Sequence, residues 1–132
     1  MTNKDIRRRQ RFANLEKAFA LLQRTIAIEN PSEAERGGLL QFFEIAFELS
    51  RKTLKDYLES EGYTVRSPRE AIKQGFQTGL IEDGHVWMRA LDDRNLTTHA
   101  YEEAIAQKVE CLIREDYFPA IQTLYNRLKQ EI

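Results

Sequence analysis

Gln10-Arg11-Phe12-Ala13-Asn14-Leu15-Glu16-Lys17-Ala18-Phe19-Ala20-Leu21-Leu22-Gln23-Arg24-Thr25-Ile26-Ala27 is the stretch whose reading decides the fold. Phe12, Leu15, Phe19, Leu22 and Ile26 recur at alternating spacings of three and four, the stripe of a helix that buries one face. The helix is expected over residues 3–27. Asn30-Pro31 ends it, because the residue before a proline is pushed out of the α region. Ser32 with Glu35 then forms a capping-box pattern that opens a second helix. Gly37-Gly38 weakens its first turns by about 1 kcal/mol per glycine relative to alanine, so its start could slip to Leu39.

Two adjacent apolar stripes run along this second helix, Leu39, Phe42, Ala46, Leu49 and Leu40, Phe43, Phe47, Leu54. So wide a face calls for several neighbours or a second copy of the chain. Gly62 is a natural left-handed stop. Ser67-Pro68-Arg69-Glu70 supplies an N-cap, a proline in the first turn and a capping Glu for a short third helix, which Gly79 ends. A fourth helix is expected from about Asp83 to Leu96, with Val86, Trp87, Ala90 and Leu91 inward, and a break near Thr98 to Tyr101. Glu102 and Glu103 suit the first turn of a fifth helix, where the macrodipole favours acids. Ile105, Val109, Leu112, Ile113, Leu124 and Leu128 mark its inner face, and Pro119 should kink or split it. Strand-like alternation is absent, so the expected fold is an all-α, up-and-down antiparallel bundle of four to five helices.

Composition agrees with that class. The 132 residues are the size of one domain, 1–132, with a single core. The 20 Lys+Arg against 21 Asp+Glu leave a net charge of -1, so binding to nucleic acid or an anionic membrane needs a local patch. One cysteine and two histidines exclude an internal disulfide and a Cys- or His-rich metal site. No continuous apolar run follows the N-terminus, and nothing approaches the about 18 apolar residues of a membrane span. A cytoplasmic location, without signal peptide or membrane association, is the expectation.

Candidate chemistry concentrates in Leu91-Asp92-Asp93-Arg94-Asn95-Leu96-Thr97-Thr98-His99-Ala100-Tyr101. On a continuous helix Arg94 and His99 would stand about 140° apart around the axis, with roughly 7.5 Å of rise. They could share a pocket only if the helix ended between them, for which Thr97-Thr98 is the natural place. An arginine fork recognises a phosphoryl group, and a histidine moves a proton near neutral pH. Asn95 could hold a phosphate oxygen or orient the imidazole. Together they could cleave RNA without a metal, the ribose 2′-hydroxyl attacking the adjacent phosphate.

Arg94-Asn95-x3-His99-x-Tyr101 resembles the Arg-x4-His-x-Tyr signature of the HEPN superfamily, in particular the branch of nucleotidyltransferase substrate-binding proteins that includes HepT-type toxins. The likeness extends to Phe42-Phe43-Glu44-Ile45-Ala46-Phe47-Glu48-Leu49, Lys55-Asp56-Tyr57-Leu58 through Gly62, Pro68-Arg69-Glu70, Gly79-Leu80-Ile81 and Trp87, in the family's order. The resemblance implies a homodimer that brings two motifs into one cleft able to hold RNA or a nucleotide. It also implies a partner, a minimal nucleotidyltransferase encoded nearby that acts as antitoxin. Within it Arg94, Asn95 and His99 would be catalytic in a metal-independent ribonuclease toxin needing no cofactor, and Tyr101 would accept AMP from the partner. A non-catalytic nucleotide- or substrate-binding subunit is the alternative.

Blander readings stand beside these. Arg94 could pair with Asp92 or Asp93, His99 could be a cap, and Tyr101 a loop aromatic. His85 reads as a surface residue. Lys4, Arg7, Arg8, Arg9 and Arg11 could contact RNA backbone or form a solvated face. Glu44 and Glu48, one turn apart, lack the Glu-x-x-His partners of a di-iron site and suit an ion pair that holds Arg94. Trp87, Phe42, Phe43 and Phe47 suit a core or dimer contact, and Cys111 a small buried apolar position.

Overall fold

The computed structural model describes residues 2–99 and 101–132. Its α-helices are α1 (Asn3–Ile26), α2 (Glu33–Ser60), α3 (Pro68–Gln77), α4 (Gly84–Asp93), α5 (Glu103–Leu112) and α6 (Phe118–Glu131). A 3-10 turn, Arg94–His99, follows α4, and a π-turn, Ile113–Tyr117, joins α5 to α6. No strand occurs among the described residues, so the all-α class holds.

Side chains set the helix ends. At the start of α2 the Ser32 hydroxyl accepts from the Glu35 N–H at 3.1 Å, and the Glu35 carboxylate accepts from the Ser32 N–H at 2.8 Å. That box holds the start at Glu33 instead of letting it slip to Leu39, and the fully buried Leu39 and nearly buried Leu40 offset the two glycines before them. A second box, Thr2 with Asp5, opens α1. Gly62 (φ 95°) ends α2 as expected: the Tyr63 N–H reaches back to the Leu58 carbonyl at 3.0 Å and the Gly62 N–H to the Glu59 carbonyl at 3.1 Å. Gly79 (φ 83°) repeats this after α3, with the Leu80 N–H on the Gly75 carbonyl at 2.9 Å.

Contacts between termini fix the directions of the rods. Arg11 Nε meets Asp56 at 3.1 Å, and Arg8 donates to the Ser60 hydroxyl at 3.1 Å, so α1 starts where α2 ends. Along α1, Phe19 stacks on Tyr125 with centroids 4.5 Å apart, while Arg114 donates to the Ile26 carbonyl at 2.6 Å. The rod formed by α5, the π-turn and α6 therefore runs antiparallel to α1. In α4, Trp87 stacks on Phe47 of α2 at 5.5 Å, and the helix runs back toward Glu48 and Glu44. Leu15, Leu22, Leu39, Leu54, Leu58, Ile113, Leu124 and Leu128 are fully buried in one core, each contributing about 1.5–3 kcal/mol of apolar burial.

Several expectations are corrected. The fourth helix stops at Asp93, not Leu96, and the chain tightens into the 3-10 turn at once. Ala100, within the expected break, lies outside the described residues. Glu102 is the N-cap of α5 and makes no side-chain cap, leaving Glu103 as the first-turn acid. The fifth rod is split as Pro119 demanded, but the irregular turn precedes the proline: Phe118 N–H bonds the Ile113 carbonyl five residues back. Proline cannot donate to the Glu115 carbonyl four residues before it, and the wider π-turn accommodates the mismatch. Cys111 is exposed, not buried. It lies two residues from Val109 and from Ile113, roughly 200° around the axis from each, which is the solvent side.

Candidate functional site

The polar run that ends α4 divides its side chains among three neighbours. Asp93, the last residue of α4, accepts from the Tyr117 hydroxyl at 2.6 Å. Asp92 holds Arg69 of α3 at 2.6 Å. Arg94 turns toward α2, its Nη1 3.3 Å from Glu48 Oε1. Neither aspartate pairs with Arg94, so a helix-end salt bridge between adjacent residues is not what forms. The expected anchoring of Arg94 by the Glu44–Glu48 turn is what the structure holds.

That anchor is a small network. Glu48 also receives Arg51 at 2.8 Å. Burial raises the pKa of the Glu48 carboxyl, but Arg51 and Arg94 outweigh it and hold the group below the usual range. One turn away, the Thr97 hydroxyl donates to Glu44 at 3.1 Å and lies 2.9 Å from the Arg94 carbonyl. Two carboxylates of α2 thus clasp the start of the 3-10 turn. Asn95 is exposed, its carbonyl taking the Thr98 hydroxyl at 2.7 Å.

His99 ends the turn on the outside of the molecule. Its ring stands 6.2 Å from that of Tyr101, tilted by 55°, and Tyr101 is 80% exposed. Arg94 and His99 therefore belong to one short turn, yet no hydrogen bond joins them within the chain. Arg94 and Asn95 line an open groove of about 360 Å³, shared with Ser67, Pro68, Arg69, Leu91 and Asp92.

Arg51, Arg69, Thr97 and Tyr117 were not singled out in the sequence as site residues. The sequence offered Glu44 and Glu48 only as partners of Arg94, Thr97 only as a helix end and Arg69 only within the Pro68-Arg69-Glu70 helix start; Tyr117 carried no signal. His85 is exposed, as expected, and its backbone N–H donates to Asp83. The N-terminal basic run is partly neutralised, Arg8 by Asp5 at 3.8 Å and Arg11 by Asp56. Phe43, Phe47 and Trp87 are core, with Phe42 packed half-buried against it. Among the described residues no group of three or more His, Cys, Asp or Glu side chains is placed to hold a metal.

Fold and site together define a helical domain that displays an Arg-Asn-x3-His turn at the end of its fourth helix. A model of the family described as "Nucleotidyltransferase substrate binding protein like" matches residues 10–130, and the chain belongs to that family. It is 29% identical over 98 residues to a Haemophilus influenzae protein named "Probable ribonuclease HepT". That match covers 70% of this chain and 66% of the relative, just under two thirds of its length. Among solved structures, one from Thermus thermophilus is 35% identical with a TM-score of 0.79, covering 86% of this chain and 98% of its own. A Haemophilus influenzae structure, described as revealing the fold of a substrate binding domain of a nucleotidyltransferase, is 25% identical with a TM-score of 0.80. It covers 90% of this chain and 99% of its own. No helix among the described residues is long and apolar enough to cross a membrane.

Proposed function

We propose that this single domain is a metal-independent ribonuclease toxin that works as a homodimer and is restrained by a minimal nucleotidyltransferase. The carrying observation is that Arg94, Asn95 and His99 fall in one 3-10 turn at the surface, with the guanidinium anchored by Glu48 and the imidazole free to meet solvent. The two groups do not meet within the chain, and a second copy of the turn would supply the missing half of a cleft.

In that cleft His99 takes the proton of the ribose 2′-hydroxyl. The O2′–P bond forms, Arg94 stabilises the charge gathering on the phosphate, and the P–O5′ bond breaks. A second His99 protonates the departing O5′, leaving a 2′,3′-cyclic phosphate and a 5′-hydroxyl. Asn95 holds a phosphate oxygen. Tyr101 accepts AMP from a nucleoside triphosphate through the partner, releasing pyrophosphate, and the added bulk and negative charge close the cleft to RNA.

The test is incubation of the purified chain with single-stranded RNA in EDTA, beside a His99→Ala chain. Cleavage by the first and none by the second is expected; RNA left intact by both, or cut equally by both, would overturn the reading. Separation of Arg94 from His99 within one chain favours a second reading, a non-catalytic nucleotide-binding subunit. Nucleotide binding with RNA left intact selects it.

A further inference from the structure

We infer that the groove between the first turn of α3 and the end of α4 is a second phosphate subsite, in which Arg69 holds the phosphate next to the one at Arg94. The inference rests on the reading above and extends it to how a strand is seated. Ser67, Pro68, Arg69, Leu91, Asp92, Arg94 and Asn95 form the walls of this open space. Two of them, Arg94 and Asn95, belong to the motif turn. His99 is not among them, so the groove adjoins the motif turn through Arg94 and Asn95. A strand whose scissile phosphate lies at Arg94 continues into the groove by its neighbouring nucleotide.

The chemistry of the walls suits that nucleotide. Arg69 offers a planar fork of donors on a side chain 61% exposed, matched to a phosphate as a carboxylate matches it now. The present occupant is Asp92, at 2.6 Å and 58% exposed. A pair so open to solvent is weakly held, so a phosphate displaces the carboxylate at small cost. Pro68 and the edge of Leu91 give an apolar surface for a ribose or base. Ser67 and Asn95 add polar groups to the same walls. Asp92 thus keeps Arg69 in place while the groove is empty, and competes with the strand when it is not.

Arginine Nε–H signals of the nitrogen-15-labelled full chain report on both guanidinium groups. The probes are a 2′-O-methylated adenosine dinucleotide phosphorylated at both ends, which resists cleavage, and the same dinucleotide without terminal phosphates. The doubly phosphorylated probe shifts the signals of Arg69 and Arg94, and the plain one shifts Arg94 alone. Arg69→Ala lowers the preference for the phosphorylated probe about tenfold, and the slope of log affinity against log salt falls by about 0.7, one phosphate contact on a single strand. Asp92→Asn raises that preference about threefold, which a merely structural ion pair would not do. If Arg94 responds while Arg69 is silent and the Arg69→Ala preference is unaltered, the subsite falls and the reading of the motif stands. If Asp92→Asn abolishes the preference, the subsite falls likewise. If neither signal responds to either probe, both fall.

Discussion

The Tyr117 hydroxyl donates to Asp93 Oδ2 across 2.6 Å, tying the π-turn to the last residue of α4. Arg94 is the next residue, so this bond sets where the motif turn begins. Tyr117→Phe keeps the ring in the core and removes only the donor. We expect a loss of about 1–2 kcal/mol, read as a lower urea midpoint with an unchanged slope. Burial, and then Asp93, keep the Tyr117 hydroxyl protonated well above the ordinary value of 10.0. A group whose pKa is raised by folding contributes stability below its unfolded pKa and loses it as pH rises. Stability of the native chain should therefore decline above pH about 10, and less steeply in the Phe variant.

Glu48 is the carboxylate on which Arg51 and Arg94 converge. With its pKa lowered on folding, its contribution is present above the unfolded value near 4.5 and lost as pH falls below it. Glu48→Gln should cost about 0.5–1 kcal/mol at pH 7 and flatten the acid limb of a stability–pH curve. The same change frees Arg94 from its anchor. RNA cleavage, if the motif works as proposed, should drop about tenfold, equivalent to about 1.4 kcal/mol of transition-state stabilisation.

Glycines at two helical positions should respond with opposite signs. A Cβ on Gly75 would lie 2.9 Å from Ile81 Cδ1 and 3.1 Å from Leu54 Cδ2, both in the core. Gly75→Ala should lose about 1 kcal/mol net, crowding outweighing the gain in helix propensity. Gly37 has nothing within 4 Å of its Cβ position, so Gly37→Ala should gain about 0.5–1 kcal/mol. Thermal unfolding of the two variants beside the native chain checks both.

Helix boundaries were legible wherever one residue type has one strong backbone preference. Ser32 and Ser67 open α2 and α3, and Gly62 and Gly79 close the same two helices. The end of α4 was not legible, because Arg94, Asn95 and Leu96 are acceptable in a helix. What stops it is tertiary: Tyr117 holds Asp93, while Glu48 and Glu44 pull Arg94 and Thr97 toward α2. Cys111 misled through its neighbours in sequence, Val109, Leu112 and Ile113, which do not share its side of the helix. In the site, residues of one short segment could be named, and their local anchor on α2 foreseen. Arg69 is 23 residues from Asp92, and no periodicity announces a pairing that the fold alone creates.

The two clasps from α2 stop at Thr97, and beyond it Thr98, His99 and Tyr101 are exposed. A bulky adduct on Tyr101 would hang clear of every packed side chain. On the reading proposed above, silencing by such a tag need not disturb the melting temperature or the circular dichroism of the domain, and shows instead as added mass and negative charge. Under that proposal the chain is disarmed while its architecture is left untouched, and rearmed by removing a single group.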